Sequence, residues 1–395
     1  MERGTVCLQD APPLLRPPAA RSVVAWLGTA GWPIVSYLCS RLVLLLLAGL
    51  DVLFTGRPLA GELSLFDGQW YLKLAHYGYP AAAVPGKSVL GFLPLYPLVI
   101  RAVAEVSSFS LLGPALITSF AGGLISAVLV QRLATLWWGE ATARRATLVF
   151  CVFPGSVVFS MAYSECLTLP LVLGCLLALA SRRWLGAGLL AGLASAAEPA
   201  ALILVPVCAA VAVHQIRTAG WPDRSARRSL LAPLLAPSGL GLFAGYLWHR
   251  TGTPFACYDA QRVGWHQGDP ITLLGQPMAR QFLDHPETMP GHLLNPSLWN
   301  GLLGSAFLLF SLTRLYRVRH ELTPGAFLWT CGVGALTLWS VMTLTNARML
   351  LIAFPAVIVW ARALTGRRFA LFLGVEVILF LFASGLDPEG IMLPL

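Results

Sequence analysis

Charged residues are scarce in this chain. They make up 11% of its 395 residues, whereas a soluble globular protein carries about 25%. Hydrophobic residues make up 57%, and the mean hydropathy is +0.72. Several mostly apolar runs are long enough to cross a hydrocarbon core of about 30 Å. This composition excludes a soluble domain and predicts an all-α polytopic membrane protein.

Patterns typical of several other protein classes are also missing. The eight cysteines are scattered without a CxxC or Cys/His spacing, so we predict no metal or redox site and interpret them as packing residues. The sequence contains no Gly-rich phosphate-binding loop of the kind that marks a nucleotide-binding domain. The net charge of +9 comes from arginines clustered between apolar runs, as in a membrane protein's orientation signal. We therefore predict no nucleic-acid partner.

The N-terminus lacks the short apolar core of a signal peptide. Its prolines, arginines and acidic residues predict a disordered cytoplasmic tail over residues 1–22. The first apolar run, about 23–54, lacks a clear cleavage site and is interpreted as an uncleaved helix. Residues 23–395 then form a single transmembrane domain.

The basic clusters predict the topology. If all of them face the cytoplasm, each interval between them holds an even number of crossings. This gives about eleven transmembrane helices, with the N-terminus inside and the C-terminus outside. Residues 89–106 then form a juxtamembrane or re-entrant helix, although they could also span. The first outer loop covers 55–90, and a second large outer loop covers 249–296.

Polar breaks in the apolar runs fall on the outer side of this topology. They lie at Asp67, Glu165, Glu198, the 249–296 loop and Arg348. Because the topology used only basic residues, this convergence is partly independent support for one site at the outer face.

Asp67 follows the first span and begins an amphipathic pattern. With Ser64 it fits the S-x-x-D pattern of a helix N-terminus, which predicts a helix over about 66–77. Trp70, Leu74 and Tyr77 give that helix an aromatic-apolar face suited to the membrane interface. Asp67 either caps this juxtamembrane helix or acts as a catalytic base at the membrane face, and the two roles can coexist.

Three other ionisable residues interrupt apolar sequence, where a charge is costly and function is the default hypothesis. Glu165 is either functional or a loop acid. Glu198 needs a polar cavity or a structural ion pair with an arginine. Arg348 either binds a phosphate through its fork of donors or is an interfacial arginine whose charge reaches water.

Two aromatic residues, Tyr96 and Trp265, are further candidates. Tyr96 stands between two prolines and is favoured as an interface anchor over a catalytic acid. Trp265, in the second outer loop, would suit stacking on a sugar. The histidines and aspartates of that loop lack tight ligand spacing, so they predict no metal site.

With these residues in view, the chain resembles the PIG-V-type mannosyltransferases of the GT-C superfamily. The matching motifs are Asp67-Gly68-x-Trp70-Tyr71 with Ala75-x-x-Gly78-Tyr79, Phe92-x-Pro94-Leu95-Tyr96-Pro97, and Phe153-Pro154 with Tyr163-Ser164-Glu165. The resemblance covers about residues 30–385. Phe66 replaces a usual Trp, Glu198-Pro199 replaces a frequent Arg-Pro, and Met349 replaces a typical Tyr. The last two departures bear on how the donor phosphate is held and which sugar is used.

The resemblance implies a GT-C-like fold and transfer of mannose, or a related sugar, from a polyprenyl-phosphate-sugar donor to an acceptor hydroxyl at the outer face, with inversion. It makes Asp67 the general base, and Arg348 is assigned to the donor phosphate. On this basis we assign substrate binding to Trp70, Tyr71, Tyr96, Tyr163, Glu165, Glu198 and Trp265. No cofactor is expected beyond the lipid-linked donor, and a divalent-metal requirement stays open. The expected partners are the donor, membrane lipids and a lipid, glycan or protein acceptor.

Two alternatives stay open. A transporter or lipid flippase would also be polytopic, although the broken helices here cluster in the first half without a clear counterpart in the second. A non-catalytic scaffold member of the same family would fit the departures at Glu198 and Met349. The lysine-poor, arginine-rich composition is typical of high-GC bacteria, so we expect the bacterial plasma membrane.

Overall fold

The computed structural model describes residues 23–56, 63–64, 66–83, 86–107, 109–265, 296–339 and 345–383. The predicted tail at 1–22 and residues 266–295 of the predicted second outer loop lie outside the described residues. The side chain of Trp265, at the edge of that segment, lies outside them as well.

Every regular element in these ranges is helical, which confirms the all-α prediction. In chain order the α-helices are α1 (Val23–Thr55), α2 (Asp67–Tyr77), α3 (Leu95–Ser107), α4 (Leu112–Trp138), α5 (Glu140–Val152), α6 (Glu165–Ala180), α7 (Trp184–Ala197), α8 (Leu204–Ala219), α9 (Arg224–Arg228), α10 (Leu231–Leu235), α11 (Ser238–Thr251), α12 (Ala256–Trp265), α13 (Pro296–Arg317), α14 (Pro324–Trp339), α15 (Ala347–Ile352), α16 (Phe354–Ala363) and α17 (Gly366–Ala383). Short 3₁₀ helices cover Val89–Gly91, Pro154–Ser160 and Pro199–Ile203.

Four stretches of the described chain are long and apolar enough to cross a membrane. They are Gly31–Phe54, Leu112–Trp138, Pro199–Ala219 and Arg224–Thr251, and the bent pair of α5 with the following 3₁₀ helix would make a fifth. Exposed leucines such as Leu42, Leu45 and Leu46 cover the outer side of α1, as expected for a lipid-facing helix. The chain is an integral membrane protein. Its total of about eleven spans stays a prediction, because several other apolar helices are shorter.

The helix breaks lie where polar residues and prolines predicted them. Residues Met161–Ser164 separate a 3₁₀ helix from α6, and Glu198 separates α7 from the next 3₁₀ helix. The helix predicted at 66–77 is α2. The segment at 89–106 contains α3, whose 13 residues are too few to span a bilayer. The structure adds a 69° bend between α5 and the 3₁₀ helix that follows, which was not predicted.

A buried arginine on α1 holds this bend in place. Arg41 is 2% exposed, and its guanidinium donates to Cys151 O at 3.1 Å and to Ser156 O at 2.7 Å. Its Cζ lies 5.1 Å from the ring centroid of Tyr37 and 5.4 Å from that of Phe380. Because a buried charge is costly without partners, these contacts fix α1 against the bent segment. No sequence motif singles out Arg41.

Two glycines let backbone segments approach each other next to the candidate site. A Cβ at Gly122 on α4 would overlap the backbone of Cys166, and one at Gly155 would overlap the carbonyl of Ala347. Only a residue without a side chain allows such contact. The first glycine positions the start of α6, and the second positions the start of α15.

Candidate active site

Asp67 is the first residue of α2, and its side chain does not cap the helix. The N-cap residue is Phe66, whose φ of 53° lies in the left-handed region, and no side-chain cap hydrogen bond is made. A bulky residue in that region is strained, and such strain concentrates at functional sites. Of the two roles considered for Asp67, the structure does not show capping, because its carboxylate makes no cap hydrogen bond and is engaged elsewhere.

Arg348 connects two carboxylates from distant parts of the chain. Its Nη1 donates to Asp67 Oδ2 at 2.5 Å, and its Nε lies 3.2 Å from Glu165 Oε1. The side chains of Asp67 and Arg348 are 30% and 21% exposed, whereas that of Glu165 is 4% exposed. Glu165 therefore supports the arginine from the protein interior, while Asp67 and Arg348 reach the accessible surface of the site.

The start of α15 fixes the position of Arg348. Asn346 caps this helix, its Oδ1 accepting a hydrogen bond from Met349 N at 2.9 Å. The Arg348 guanidinium lies over the ring of Tyr163, with Cζ 5.1 Å from the centroid, which is a cation–π arrangement. Two ion pairs and an aromatic face hold this side chain inside the protein, so it is not an arginine extended along lipid.

Tyr71 ties α2 to the Tyr163-Ser164-Glu165 segment. Its hydroxyl donates to Ser164 Oγ at 2.8 Å. Burial raises the pKa of the Tyr71 phenol well above its usual value, and the negative charge of Asp67 raises it further. Tyr71 therefore stays protonated and acts as a hydrogen-bond donor. Ser164 was part of the sequence motif but had been given no role of its own.

Trp70, on α2, and Tyr96, on α3, belong to a group of aromatic residues that pack against one another. Tyr96 is fully buried, and its hydroxyl lies 3.1 Å from Ala115 O and 3.0 Å from Ser119 Oγ. Its ring centroid is 5.1 Å from that of Tyr71, whereas the half-buried Trp70 stacks on Phe92 at 6.0 Å. In this structure the Tyr96 hydroxyl is bound within the fold, and Trp70 lies nearer the surface.

Glu198 lies close to the same cluster. It is within electrostatic reach of Glu165, Arg348 and Asp67. It makes no ion pair with any described residue, so the structural arginine pair considered for it is not seen there. Glu165 Oε2 and Glu198 Oε2 are both buried and lack a hydrogen-bond partner in the described chain. Buried polar atoms normally have hydrogen-bond partners, so these two oxygens are the acceptors of the cluster that no described residue satisfies.

Within the described ranges, no group of three or more His, Cys, Asp or Glu side chains is placed to hold a metal ion. The residues that the structure brings together are Asp67, Tyr71, Tyr163, Glu165, Glu198 and Arg348.

Comparisons with known proteins bear on the fold. No protein-family model and no curated protein match this chain. Among solved structures, ArnT from Cupriavidus metallidurans bound to undecaprenyl phosphate aligns with a TM-score of 0.53 at 16% identity, over 88% of this chain and 63% of that chain. The Archaeoglobus fulgidus oligosaccharyltransferase in complex with Zn and sulfate aligns with a TM-score of 0.50 at 16% identity, over 88% of this chain and 54% of that chain.

These similarities establish the fold. The chain spans less than two thirds of the length of either structure, at 63% and 54%. The fold that these two structures share with this chain confirms the all-α, GT-C-like architecture predicted from the sequence. Membership of the PIG-V-type family stays a prediction.

Proposed function

We propose that this chain is an integral-membrane glycosyltransferase that moves mannose, or a related sugar, from a polyprenyl-phosphate donor to an acceptor hydroxyl. The observation that carries the proposal is the cluster of Asp67, Glu165 and Arg348, which three distant segments assemble on a GT-C-like fold. The similar ArnT structure contains undecaprenyl phosphate, which supports a lipid phosphate as the donor class.

In this reaction Asp67 is the general base. Its carboxylate accepts the proton of the acceptor hydroxyl as that oxygen attacks the anomeric carbon of the donor sugar. The bond between the anomeric carbon and the phosphate oxygen breaks, and its electron pair leaves with the polyprenyl phosphate. A single displacement of this kind inverts the anomeric configuration.

Arg348 binds the donor phosphate and stabilises the charge that develops on it. A guanidinium carries five N–H groups, and the ion pairs with Asp67 and Glu165 engage two of them. The others suit phosphate oxygens. A phosphate that takes Nη1 displaces the Asp67 carboxylate from the ion pair, so donor binding releases the base for the acceptor.

The sugar lies between the charged cluster and the aromatic residues in this proposal. The unpartnered oxygens of Glu165 and Glu198 accept hydrogen bonds from its hydroxyl groups. The ring of Tyr163 packs against the Arg348 guanidinium. Trp70, which is partly exposed on α2, is available to contact the sugar. In this proposal the site faces the outside of the bacterial plasma membrane. The donor sugar is carried on a lipid phosphate, so the enzyme needs no site for a nucleotide sugar.

The experiment uses the full-length chain in lipid nanodiscs. Polyprenyl phosphates carrying radiolabelled mannose, glucose, galactose or arabinose are offered together with a membrane lipid and glycan extract. We expect label to move from one donor to an acceptor with inverted anomeric configuration, as read by NMR of the product. The control is Asp223→Asn, because Asp223 caps α9 by accepting from Ala226 N at 2.7 Å and Asn also caps helices.

Two outcomes would overturn the proposal. Passage of an intact lipid-linked sugar across proteoliposomes, without transfer, would favour the flippase. Neither transfer nor passage with any donor would favour the non-catalytic scaffold.

A further inference from the structure

A cavity of about 510 Å³ lies beside the second half of α2, separate from the Asp67–Arg348 pair. The residues that matter among its lining are Trp70, Lys73, Tyr77, Lys87, Ser88 and Arg250. They come from α2, from the segment before the first 3₁₀ helix and from the end of α11. We refer to this space as the basic cavity.

Both lysines of the chain line the basic cavity. Of the 27 basic residues, only Lys73 and Lys87 are lysines, and both line it. Arg250 adds a third positive charge from another helix. Within the described chain none of the three makes an ion pair, and no carboxylate is among the residues lining the cavity. Three converging cations favour an anionic ligand.

A buried hydroxyl is a second and independent indication of a ligand. Ser88 is 8% exposed, and its Oγ has no hydrogen-bond partner in the described chain. A buried hydroxyl without a partner is costly, so native structures normally satisfy it. An oxygen of a ligand in the basic cavity would do so, and a phosphate supplies several such oxygens.

The position of the cavity relative to the membrane is also informative. Arg250 lies at one end of the apolar stretch Arg224–Thr251, and the cluster Arg224, Arg227 and Arg228 lies at the other. The positive-inside rule assigns that cluster to the cytoplasm, which places the basic cavity at the outer face. Orientation signals do not explain cations there, so a binding role is favoured.

The basic cavity and the catalytic base share one helix. Asp67 begins α2, and Lys73 follows six residues later, about 9 Å along the helix axis. Trp70 lies between them and lines the cavity, with the Lys73 ammonium 5.5 Å from its ring centroid. A ligand whose anionic group lies in the cavity can therefore extend along α2 towards Asp67.

We propose that the basic cavity binds the phosphate of an anionic lipid acceptor and thereby presents the acceptor hydroxyl to Asp67. The presentation step rests on the proposed function, whereas the binding step does not. Lysine ammonium groups bind phosphate as point charges, and Trp70 and Tyr77 offer apolar faces to an attached sugar. No bond is made or broken in the cavity. The donor phosphate goes to Arg348, and the acceptor phosphate goes to Lys73, Lys87 and Arg250.

Lysine acylation tests the binding step directly, because Lys73 and Lys87 are the only side-chain amines. The chain is placed in phosphatidylcholine nanodiscs that contain phosphatidylglycerol, a polyprenyl phosphate or a neutral galactolipid. An amine-reactive ester is added, peptides are quantified by mass spectrometry, and the N-terminal amine is the internal reference. When the concentration of free phosphatidylglycerol exceeds its Kd about tenfold, acylation of both lysines should slow about tenfold. The neutral galactolipid should leave the acylation rate unchanged.

The same measurement on Asp67→Asn separates this inference from the proposed function. Protection of the lysines should persist in that variant, even if transfer is lost. Equal acylation with anionic and neutral lipid would overturn the inference. Protection by polyprenyl phosphate but not by phosphatidylglycerol would also overturn it, because the cavity would then belong to the donor.

Steady-state kinetics test the presentation step. The double variant Lys73→Ala/Lys87→Ala should raise the KM for an anionic acceptor fraction about tenfold, with kcat and the donor KM within about twofold. Lys73→Arg/Lys87→Arg should restore most of the affinity, because it retains both charges. A rise in the donor KM, or an unchanged acceptor KM, would contradict the inference.

Discussion

The guanidinium of Arg348 donates to the carboxylate of Asp67 at 2.5 Å, although 281 residues separate them in the sequence. This contact joins the start of α2 to the start of α15. Glu165 holds the same guanidinium from the buried side at 3.2 Å. The base and the phosphate ligand of the proposed reaction are therefore one connected unit, and a change in either residue alters the other.

Arg348→Lys should lower kcat/KM for transfer about 100-fold, although the charge is retained. An ammonium is a single point and cannot hold both carboxylates and a phosphate as the planar fork does. Initial rates at varied donor concentration measure this effect. The control is Arg319→Lys, since the Arg319 guanidinium stacks on Tyr316 at 4.0 Å without an ion pair in the described chain. A donor KM and a kcat equal to those of the parent would show that Arg348 does not bind the phosphate.

Glu165→Ala should lower the free energy of unfolding by about 3 kcal/mol, because it leaves an arginine without its buried partner. Unfolding in mixed micelles, followed by tryptophan fluorescence, measures the loss. Glu321→Ala is the matched control, since Glu321 pairs with Arg362 at 3.0 Å and both side chains are exposed. That surface pair should contribute less than about 1 kcal/mol. Equal losses in the two variants would contradict the supporting role of Glu165.

Much of the helical framework could be predicted from sequence. Hydropathy placed most of the apolar helices, and the polar residues at Glu165 and Glu198 marked true interruptions. The motif around Asp67 predicted the bounds of α2 to within a residue. Local pattern was enough for these features because helix propensity, proline placement and amphipathic spacing act over a few residues.

The errors and omissions concern contacts between distant segments. The local pattern could not decide between capping and catalysis for Asp67, because the ion pair with Arg348 that engages its carboxylate is a long-range contact. Arg41 was not singled out because its hydrogen-bond partners are backbone carbonyls and serine hydroxyls, which no sequence pattern marks. The scarcity of lysine is visible in the sequence, but only the fold places Lys73 and Lys87 in one cavity.

Gly155→Ala should reduce transfer without preventing membrane insertion. A Cβ at this position would overlap the Ala347 carbonyl and displace the start of α15. Arg348 lies there and makes its ion pair with Asp67 from that position. Because a shift of about 1 Å at a catalytic group can lower a rate about 100-fold, a clear kcat defect is expected. The control is Gly245→Ala, which meets no atom within 4 Å on α11. Full activity of Gly155→Ala would mean that this close contact does not position the arginine.

The most direct test of the central claim is the transfer rate of Asp67→Asn in nanodiscs with saturating donor and acceptor. Asn is nearly isosteric with Asp but cannot accept the hydroxyl proton, so the rate should fall about 10²- to 10⁴-fold while donor binding persists. Expression and thermal stability measured beside Asp223→Asn confirm that the variant is folded. A rate within about twofold of the parent would contradict the assignment of Asp67 as the base.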